Sequence, residues 1–376
     1  MRTYTAALLR ALHRLDADMQ WHVVLRQTDL DQLGLSADSR FRPLWRGSMA
    51  HPPALPGLRF AWRNALEHIA APASARGRAG RFDVVHYLDS YGPLLTMTST
   101  PLAVTVHDLI PITNRGYHRP LTRAYLAALM QRTLPRAHAL LAISQATADM
   151  IERVLGTQAG PIYVVPNGID DRFQPAPEAE RTRVRARYGL CGPFVLVVGT
   201  VEPRKNLPRL IRSFAAARRE YDLPHRLVIA GKVRAGAGEM HQALADVALG
   251  DACLSLGFVP DDDLPALLSS ADMLSYVSLQ EGFGLPVAEA MGCGAPVLTS
   301  SVPALAEVAG DAAVLVDPTD ERAMAAAIGR LCRDAELQAA LRARGLRRAA
   351  RFRWSTVADE TVRIYRELAA CTPARG

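Results

Sequence analysis

Short runs of β-branched and aliphatic residues alternate along the chain with longer stretches whose apolar positions recur every three to four residues. The short runs read as buried strands of a parallel sheet, and the longer stretches as amphipathic crossover helices. In the first half, strands are predicted at 21–26, 83–87, 102–106, 139–143 and 162–165. Helices are predicted there at 4–15, 61–70, 122–134 and 145–154, the last with Ser144 as its N-cap. The second half alternates more regularly, with strands at 194–198, 226–229, 253–256, 273–277, 296–299 and 313–316. Its helices are predicted near 207–221, 239–249, 264–269, 286–291 and 321–333. The pattern is that of two doubly wound α/β halves. The join, 170–193, is rich in Pro and charge, as a linker is. Open α/β sheets bind ligands outside the carboxyl ends of their strands, so a cleft between the halves is the expected site.

Bulk properties narrow the function classes. A chain of 376 residues is comfortable for two domains, and 49% hydrophobic with 22% charged residues is an ordinary globular balance. No apolar run approaches the ~18 residues needed to cross a bilayer. The opening segment, beginning Met1-Arg-Thr-Tyr4, lacks a signal-peptide apolar core, which predicts a cytoplasmic protein. Cys191, Cys253, Cys293, Cys332 and Cys371 are isolated, so neither a zinc site nor a disulfide framework is indicated. The net charge of +7 comes largely from arginine, notably at 181, 183 and 185 and at 342, 344, 347, 348, 351 and 353. No recognition-helix, zinc-finger or aromatic RNA-binding signature accompanies it, so no nucleic-acid partner is expected. Solvated helix faces account for the surplus; peripheral attraction to an anionic membrane surface is the next reading.

Three stretches carry candidate chemistry. Glu281 and Glu289 stand eight residues apart around Gly282, Phe283, Gly284 and Leu285, with a helix start predicted at Pro286. Open backbone N–H groups at such a turn suit an anion, and two carboxylates suit hydroxyls. With Glu289 placed in the first helical turn, the bland alternative is that it only complements the helix dipole while Glu281 is solvated. Gly199 and Thr200 follow a buried strand and precede Glu202-Pro-Arg204-Lys205, with Asn206 as the predicted N-cap of the next helix. A planar guanidinium and an ammonium beside a helix N-terminus make a diphosphate site. His107 ends an apolar strand ahead of Asp108, which serves as a loop cap, and Pro111. Asn167 and Gly168 read as a turn. Asp261, Asp262 and Asp263 precede a Leu-rich helix and read as caps, so no catalytic metal is expected. Gly231, Gly236 and Gly238 read as a flexible loop.

The segment from Glu281 to Glu289 resembles the Glu-x7-Glu motif of the retaining GT-B glycosyltransferases of family 4. The resemblance extends through 195–207, 165–170 and 107–111, in the family's order and over nearly the whole chain. It implies a GT-B fold of two Rossmann-like domains: an acceptor-side domain over 1–170, a linker over 171–192 and a nucleotide-sugar domain over 193–350. A final helix near 355–368, within 351–376, would cross back to the first domain. The family's first strand and Gly-rich loop lie outside the given numbering, the chain entering at the helix bearing Tyr4.

Residue by residue, the resemblance implies that Arg204 and Lys205 neutralise the departing diphosphate, Glu289 binds the ribose and Glu281 lies by the donor sugar. Phe283, Gly284 and Leu285 would add backbone contacts, Phe258 and Val259 would touch the nucleobase, and His107 would position substrate. No cofactor is implied beyond the donor substrate, for which the bacterial mannosyl- and rhamnosyltransferase character favours GDP-mannose. The acceptor would be a saccharide or lipid-linked saccharide. A nucleotide-sugar epimerase of the same architecture and a degenerate nucleotide-binding scaffold subunit are the rival expectations.

Overall fold

In the computed structural model, described residues are 2–15, 19–23, 41–43, 82–91, 100–114, 116–117, 120–232 and 237–370. The chain divides into two units, residues 1–168 with 354–376, and residues 169–353.

The first unit opens with helix α1 (Arg2–Arg14), followed by a parallel pair of short strands, β1 (Trp21–Val23) and β2 (Phe41–Pro43). The predicted strand at 21–26 is present over its described part; the predicted helix at 61–70 lies outside the described residues. A four-stranded parallel sheet then runs in sequence order through β3 (Val85–Tyr87), β4 (Leu102–Val106), β5 (Ala139–Ala142) and β6 (Ile162–Val164). Three helices join these strands: α2 (Ile110–Thr113), α3 (Pro120–Thr133) and α4 (Gln145–Leu155). Ser144 caps α4 as expected, its Oγ accepting from the Thr147 N–H at 3.0 Å.

Strand β4 shows why both faces of this sheet are apolar. Leu102, Val104 and Val106 share one core with Met130, Leu134 and Ile151 of the crossover helices and their ends. Ala103, between them, faces Leu8 and Leu12 of α1. A period of two sends alternate residues to opposite faces, and both faces are covered by helices.

The second unit begins where the sequence reads as a linker. Residues 171–192 instead carry helix α5 (Glu178–Arg187). Its flanking prolines end the chain's extended run, but Glu178 and Glu180 in the first turn and Arg185 and Arg187 in the last complement a helix dipole. Then follow β7 (Phe194–Val198), α6 (Leu207–Glu220), β8 (Arg226–Ala230), α7 (Ala237–Val247), β9 (Cys253–Gly257), α8 (Leu264–Ser270) and β10 (Met273–Tyr276). The unit closes with α9 (Leu285–Gly292), β11 (Val297–Ser300), α10 (Pro303–Ala309), β12 (Val314–Val316), α11 (Glu321–Arg333) and α12 (Ala335–Ala349). Helices α10 and α12 have no counterpart among the predicted elements.

All six strands are parallel, in the order β9-β8-β7-β10-β11-β12. This is the doubly wound order with its switch point between β7 and β10. Val195, Val197, Leu227, Ile229 and Met273 pack there against Ile211 and Phe214 of α6 and Ile328 of α11. The last helix, α13 (Trp354–Ala370), belongs to the first unit, where Val357, Ala358, Val362 and Ile364 join the core built on α1.

The arginine surplus is not simply solvated. Arg342 donates to the Gly294 carbonyl at 3.0 Å and Arg344 to that of Asp311 at 3.1 Å. Arg348 reaches the Val308 carbonyl at 3.0 Å and that of Glu307, two acceptors in the last turn of α10. A guanidinium has five donors, and carbonyls at a helix C-terminus attract cations, so these side chains fasten α12 to its neighbours.

Candidate functional site

The loops at the switch point bring Arg204, Lys205 and Glu281 together, and the other predicted donor-site residues lie on neighbouring loops and helices of the same unit. After β7 the chain turns through Gly199, whose φ of +135° belongs to the region that favours glycine. The Gly199 N–H donates to the Ala230 carbonyl at 2.9 Å, and Val201 N–H to that of Lys232 at 2.9 Å. Gly231, expected in a flexible loop, is instead a close-packing point. A Cβ there would fall inside the Gly199 carbonyl oxygen, and its N–H donates to the Gly257 carbonyl at 2.7 Å. The loops after β7, β8 and β9 are thus pinned to one another by backbone alone.

Arg204 and Lys205 lie in a single turn of 3-10 helix, Pro203–Lys205. Asn206 occupies the N-cap position of α6 but makes no side-chain cap. Its Nδ2 donates instead to the carbonyls of Val277 at 3.2 Å and Pro318 at 2.7 Å. The buried amide finds better partners across the sheet than in its own helix, and so ties the loop after β7 to those after β10 and β12.

That tie brings Glu281 onto the two cations. Arg204 Nη1 lies 2.5 Å from Glu281 Oε2, and Lys205 Nζ lies 2.6 Å from Oε1. The Tyr276 hydroxyl, at the end of β10, donates to Oε1 at 2.9 Å and also meets Lys205 Nζ. The Lys205 ammonium stands 4.6 Å from the centre of the Tyr276 ring. Glu202 Oε1 takes the other terminal nitrogen of Arg204 at 2.6 Å.

The titration behaviour follows from this packing. Burial pushes the Glu281 carboxyl up, but Lys205 and Arg204 outweigh it and hold it below its ordinary value. Burial lowers Lys205 despite Glu281. Burial, with Glu281 alongside, holds the Tyr276 phenol protonated. Glu281 is therefore neither solvated nor alone: its side chain is 9% exposed and charge-compensated. Tyr276 and Glu202 were not singled out from sequence. A tyrosine at the carboxyl end of a strand beside the switch point was the available signal for Tyr276.

Glu289 differs in kind. The helix begins at Leu285, so Glu289 lies past the first turn rather than in it, beyond the dipole's useful reach. Gly284 at the N-cap has φ +104° and lies against Leu305, which supplies the sharp entry. No hydrogen bond or ion pair holds the Glu289 carboxylate among the described residues. Burial pushes it up to about 7, against a lowering by Arg172 and helped by Asp261 and Asp170. An unsatisfied, half-buried carboxylate of this kind is poised to accept hydroxyl donors.

Arg172, also missed from sequence, stands 3.7 Å from Asp261, and its buried Nε lies 3.8 Å from Asp170 without a hydrogen-bond partner among the described residues. Phe283 is buried, edge-on to Phe352 with centroids 5.5 Å apart, so only its backbone is available to a ligand. Phe258 is 59% exposed with Lys232 Nζ 4.5 Å from its ring centre, whereas Val259 is buried. Thr200, next to Gly199, is partly exposed.

The aspartate triplet does not act as the expected cap. Asp263 stands at the N-cap of α8 but makes no cap bond; its carboxylate, 3% exposed, binds Arg183 at 2.9 Å, Arg187 at 2.8 Å and the Tyr188 hydroxyl at 2.8 Å. Three donors from α5 and its end outcompete the local amide. Asp261 and Asp262 lie toward Arg172 at 3.7 and 3.9 Å.

His107 belongs to the first unit. Its Nε2 donates to the Leu88 carbonyl at 3.1 Å, which leaves Nδ1 as the lone-pair nitrogen. Burial lowers it to about 4, so the ring is neutral near pH 7. Tyr4 packs edge-on at 4.7 Å, and Ser90 Oγ accepts from the His107 N–H at 2.7 Å. Asp108 Oδ1 accepts from the Ile110 N–H at 3.0 Å and so caps the loop. Asn167 is buried, its Oδ1 without a hydrogen-bond partner among the described residues, and Gly168 leaves room for Trp354 against the turn.

These residues sit at the switch point of a six-stranded doubly wound α/β sheet, and comparison with known proteins gives the family. Residues 183–348 match the glycosyl transferases group 1 model, and residues 1–173 match the Glycosyltransferase Family 4 model. The chain is 32% identical to O-antigen chain mannosyltransferase B of Escherichia coli over 266 residues, 70% of each chain. It is also 32% identical to an MMP α-(1→4)-mannosyltransferase of Mycolicibacterium hassiacum, over 78% of this chain and 74% of the relative. Among solved structures, Anabaena HepE in complex with UDP and glucose superposes with a TM-score of 0.71 at 18% identity, covering 97% and 95% of the two chains. The chain belongs to glycosyltransferase family 4 and has the GT-B fold. It is a glycosyltransferase. No helix among the described residues is long and apolar enough to cross a membrane.

Proposed function

We propose that this enzyme transfers a hexose, mannose in preference, from GDP-mannose to a saccharide or lipid-linked saccharide in cell-surface polysaccharide assembly, with retention at the anomeric carbon. One observation carries the reading: Arg204 and Lys205 from one loop and Glu281 from another meet at the switch point, within 2.5 and 2.6 Å. Cations there stabilise charge that develops as the diphosphate departs. Glu281, fixed by Tyr276 and Lys205, meets a donor-sugar hydroxyl and faces the positive charge growing at the anomeric carbon. Glu289 accepts the ribose hydroxyls, and the backbone at Phe283, Gly284 and Leu285 holds the sugar and phosphates. Gly199 and Thr200 line the phosphate loop. Phe258, exposed beside Lys232, stacks on the nucleobase, with Val259 beneath. His107 positions substrate through Nδ1.

No divalent ion takes part in this scheme, since the balancing charges come from side chains. Work at the cytoplasmic face of the membrane, in peripheral contact with anionic lipid, suits a lipid-linked acceptor. The mannosyl preference is supported by the activities named for the two bacterial relatives.

The test is release of nucleoside diphosphate by purified protein, with and without lipid-linked saccharide, across GDP- and UDP-sugars and with chelator. Release that needs both donor and acceptor, is fastest with GDP-mannose and survives chelation is the expected result. Glu281→Gln should lower kcat about 10²-fold, the scale of losing one group matched to transition-state charge. Interconversion of donor sugars without acceptor would replace transfer by epimerisation. An effect of Glu281→Gln on KM alone would remove its catalytic role.

A further inference from the structure

Two carboxylates share the Arg204 guanidinium, and they are held very differently. Glu281 grips Nη1 and is itself gripped by Lys205 and Tyr276, with its side chain 9% exposed. Glu202 grips Nη2 at 2.6 Å, its side chain is 28% exposed, and no other partner holds its carboxylate among the described residues. The Glu202 backbone is fixed by its carbonyl accepting from the Lys205 N–H at 2.9 Å, so the side chain can rotate away without moving the loop.

The charges make that rotation necessary. Arg204 and Lys205 are balanced one for one by Glu202 and Glu281, so the cluster as it stands is neutral and offers a diphosphate no net attraction. Bidentate recognition of a phosphate also needs a free edge of the guanidinium fork. Each terminal nitrogen of Arg204 carries a carboxylate, and the one on Nη2 is the one that can be vacated.

We infer that Glu202 is a resident counter-ion of the diphosphate site: its carboxylate pairs with Arg204 and gives way to the nucleoside diphosphate. The inference rests on the proposed role of Arg204 at the diphosphate and adds a residue that sets how tightly that site holds its anion. Each binding event must break the Glu202–Arg204 pair, and each departure re-forms it. The exchange lowers affinity for donor and released diphosphate together, and it shortens the lifetime of the product complex. The cost is uniform over ground and transition states, so it appears in binding rather than in chemistry.

Inorganic pyrophosphate is the appropriate probe, because it lacks base and sugar. Calorimetric titration of the whole chain should show Glu202→Gln binding pyrophosphate about fivefold more tightly than wild type, the effect of removing one competing partly exposed charge. Glu202→Ala should shift the same way. Glu321→Gln, which removes a carboxylate paired with Arg212 elsewhere on the same unit, should leave affinity unchanged. Diphosphate release after a single turnover should slow in Glu202→Gln by the same factor. Equal or weaker binding in folded Glu202→Gln and Glu202→Ala overturns the inference. If Arg204→Ala loses pyrophosphate while the Glu202 variants match wild type, only the counter-ion role fails. If Arg204→Ala binds pyrophosphate as wild type does, the diphosphate site itself is misplaced and both readings fall.

Discussion

Glu289 shows how a single carboxylate can weaken the fold that presents it. Its pKa is pushed up to about 7 from the ordinary 4.5 by burial, so the native state holds a proton that the unfolded chain releases. Native stability from this group is therefore present below about pH 4.5 and is lost as pH rises through 7. Glu289→Gln should raise the melting temperature at pH 8 and leave it unchanged near pH 4, as thermal unfolding at the two pH values would show. On the proposed ribose role, function runs the other way, because hydroxyls donate to the ionised form. Donor KM in the wild type should rise as pH falls below 7, and Glu289→Gln should have a raised KM flat across that range. A melting temperature lowered at pH 8 would mean the carboxylate is structural.

Arg204 and Lys205 make the opposite case. Replacing both by Ala strands Glu281 in a buried position, which costs about 3 kcal/mol of stability besides abolishing transfer. Adding Glu281→Gln should recover most of that stability with no activity, and denaturant unfolding of the double and triple variants measures both.

At the scale of elements, loops rather than helices place the chemistry, and they are held by contacts of long sequence separation. Asn206 joins the loops after β7, β10 and β12, and the Gly199–Gly231–Gly257 stack joins the backbone of the loop after β7 to those after β8 and β9. Gly231→Ala has no room for its methyl against the Gly199 carbonyl. It should push the loop after β7 outward, raising donor KM at least tenfold if that loop holds the diphosphate as proposed, while costing about 1–3 kcal/mol of stability, the usual range for overpacking. Kinetics with a denaturation curve on the same sample would check both. Asp263 fastens α5 to the start of α8 through Arg183, Arg187 and Tyr188. Asp263→Asn should destabilise the second unit by about 2 kcal/mol, a partly screened version of breaking a buried pair, and leave chelator insensitivity untouched. Sensitivity to chelator that vanishes in this variant would make the triplet a metal site.

At the scale of the molecule, the last helix completes the first core. Val357, Val362 and Ile364 of α13 pack with Leu8 and Leu12 of α1, and the Tyr365 hydroxyl meets His86 Nδ1 at 2.6 Å. His86 Nε2 continues to Thr105 Oγ1 at 2.8 Å, and burial, with His107 nearby, lowers His86 to about 3, so this chain of bonds stays neutral. A chain ending at Arg353 should lose the cooperative melting of the first unit while that of the second persists. Calorimetry of the truncated and full proteins would decide it; two intact transitions after truncation would show that α13 is dispensable.

The alternation of apolar runs and amphipathic stretches sufficed to determine the strands of the four- and six-stranded sheets and most of their helices, though not β2, because burial on both faces leaves a period that composition cannot hide. Gly and Pro placement likewise exposed the turns that carry Arg204, Lys205 and Glu281. Residues 171–192 misled because Pro and charge mark helix ends as readily as linkers, and the contact that settles the matter, Asp263 with Arg183, spans 80 positions. Asn206 and Asp263 took distant partners over their local caps for the same reason: a buried polar group follows whichever donor or acceptor the fold brings near. What only the tertiary structure decided is therefore electrostatic. Glu281 is compensated by two cations and a phenol, the Glu289 carboxylate has no hydrogen-bond partner among the described residues, and Glu202 shares Arg204, because strand order sets the loops after β7 and β10 side by side while sequence keeps them more than 70 residues apart.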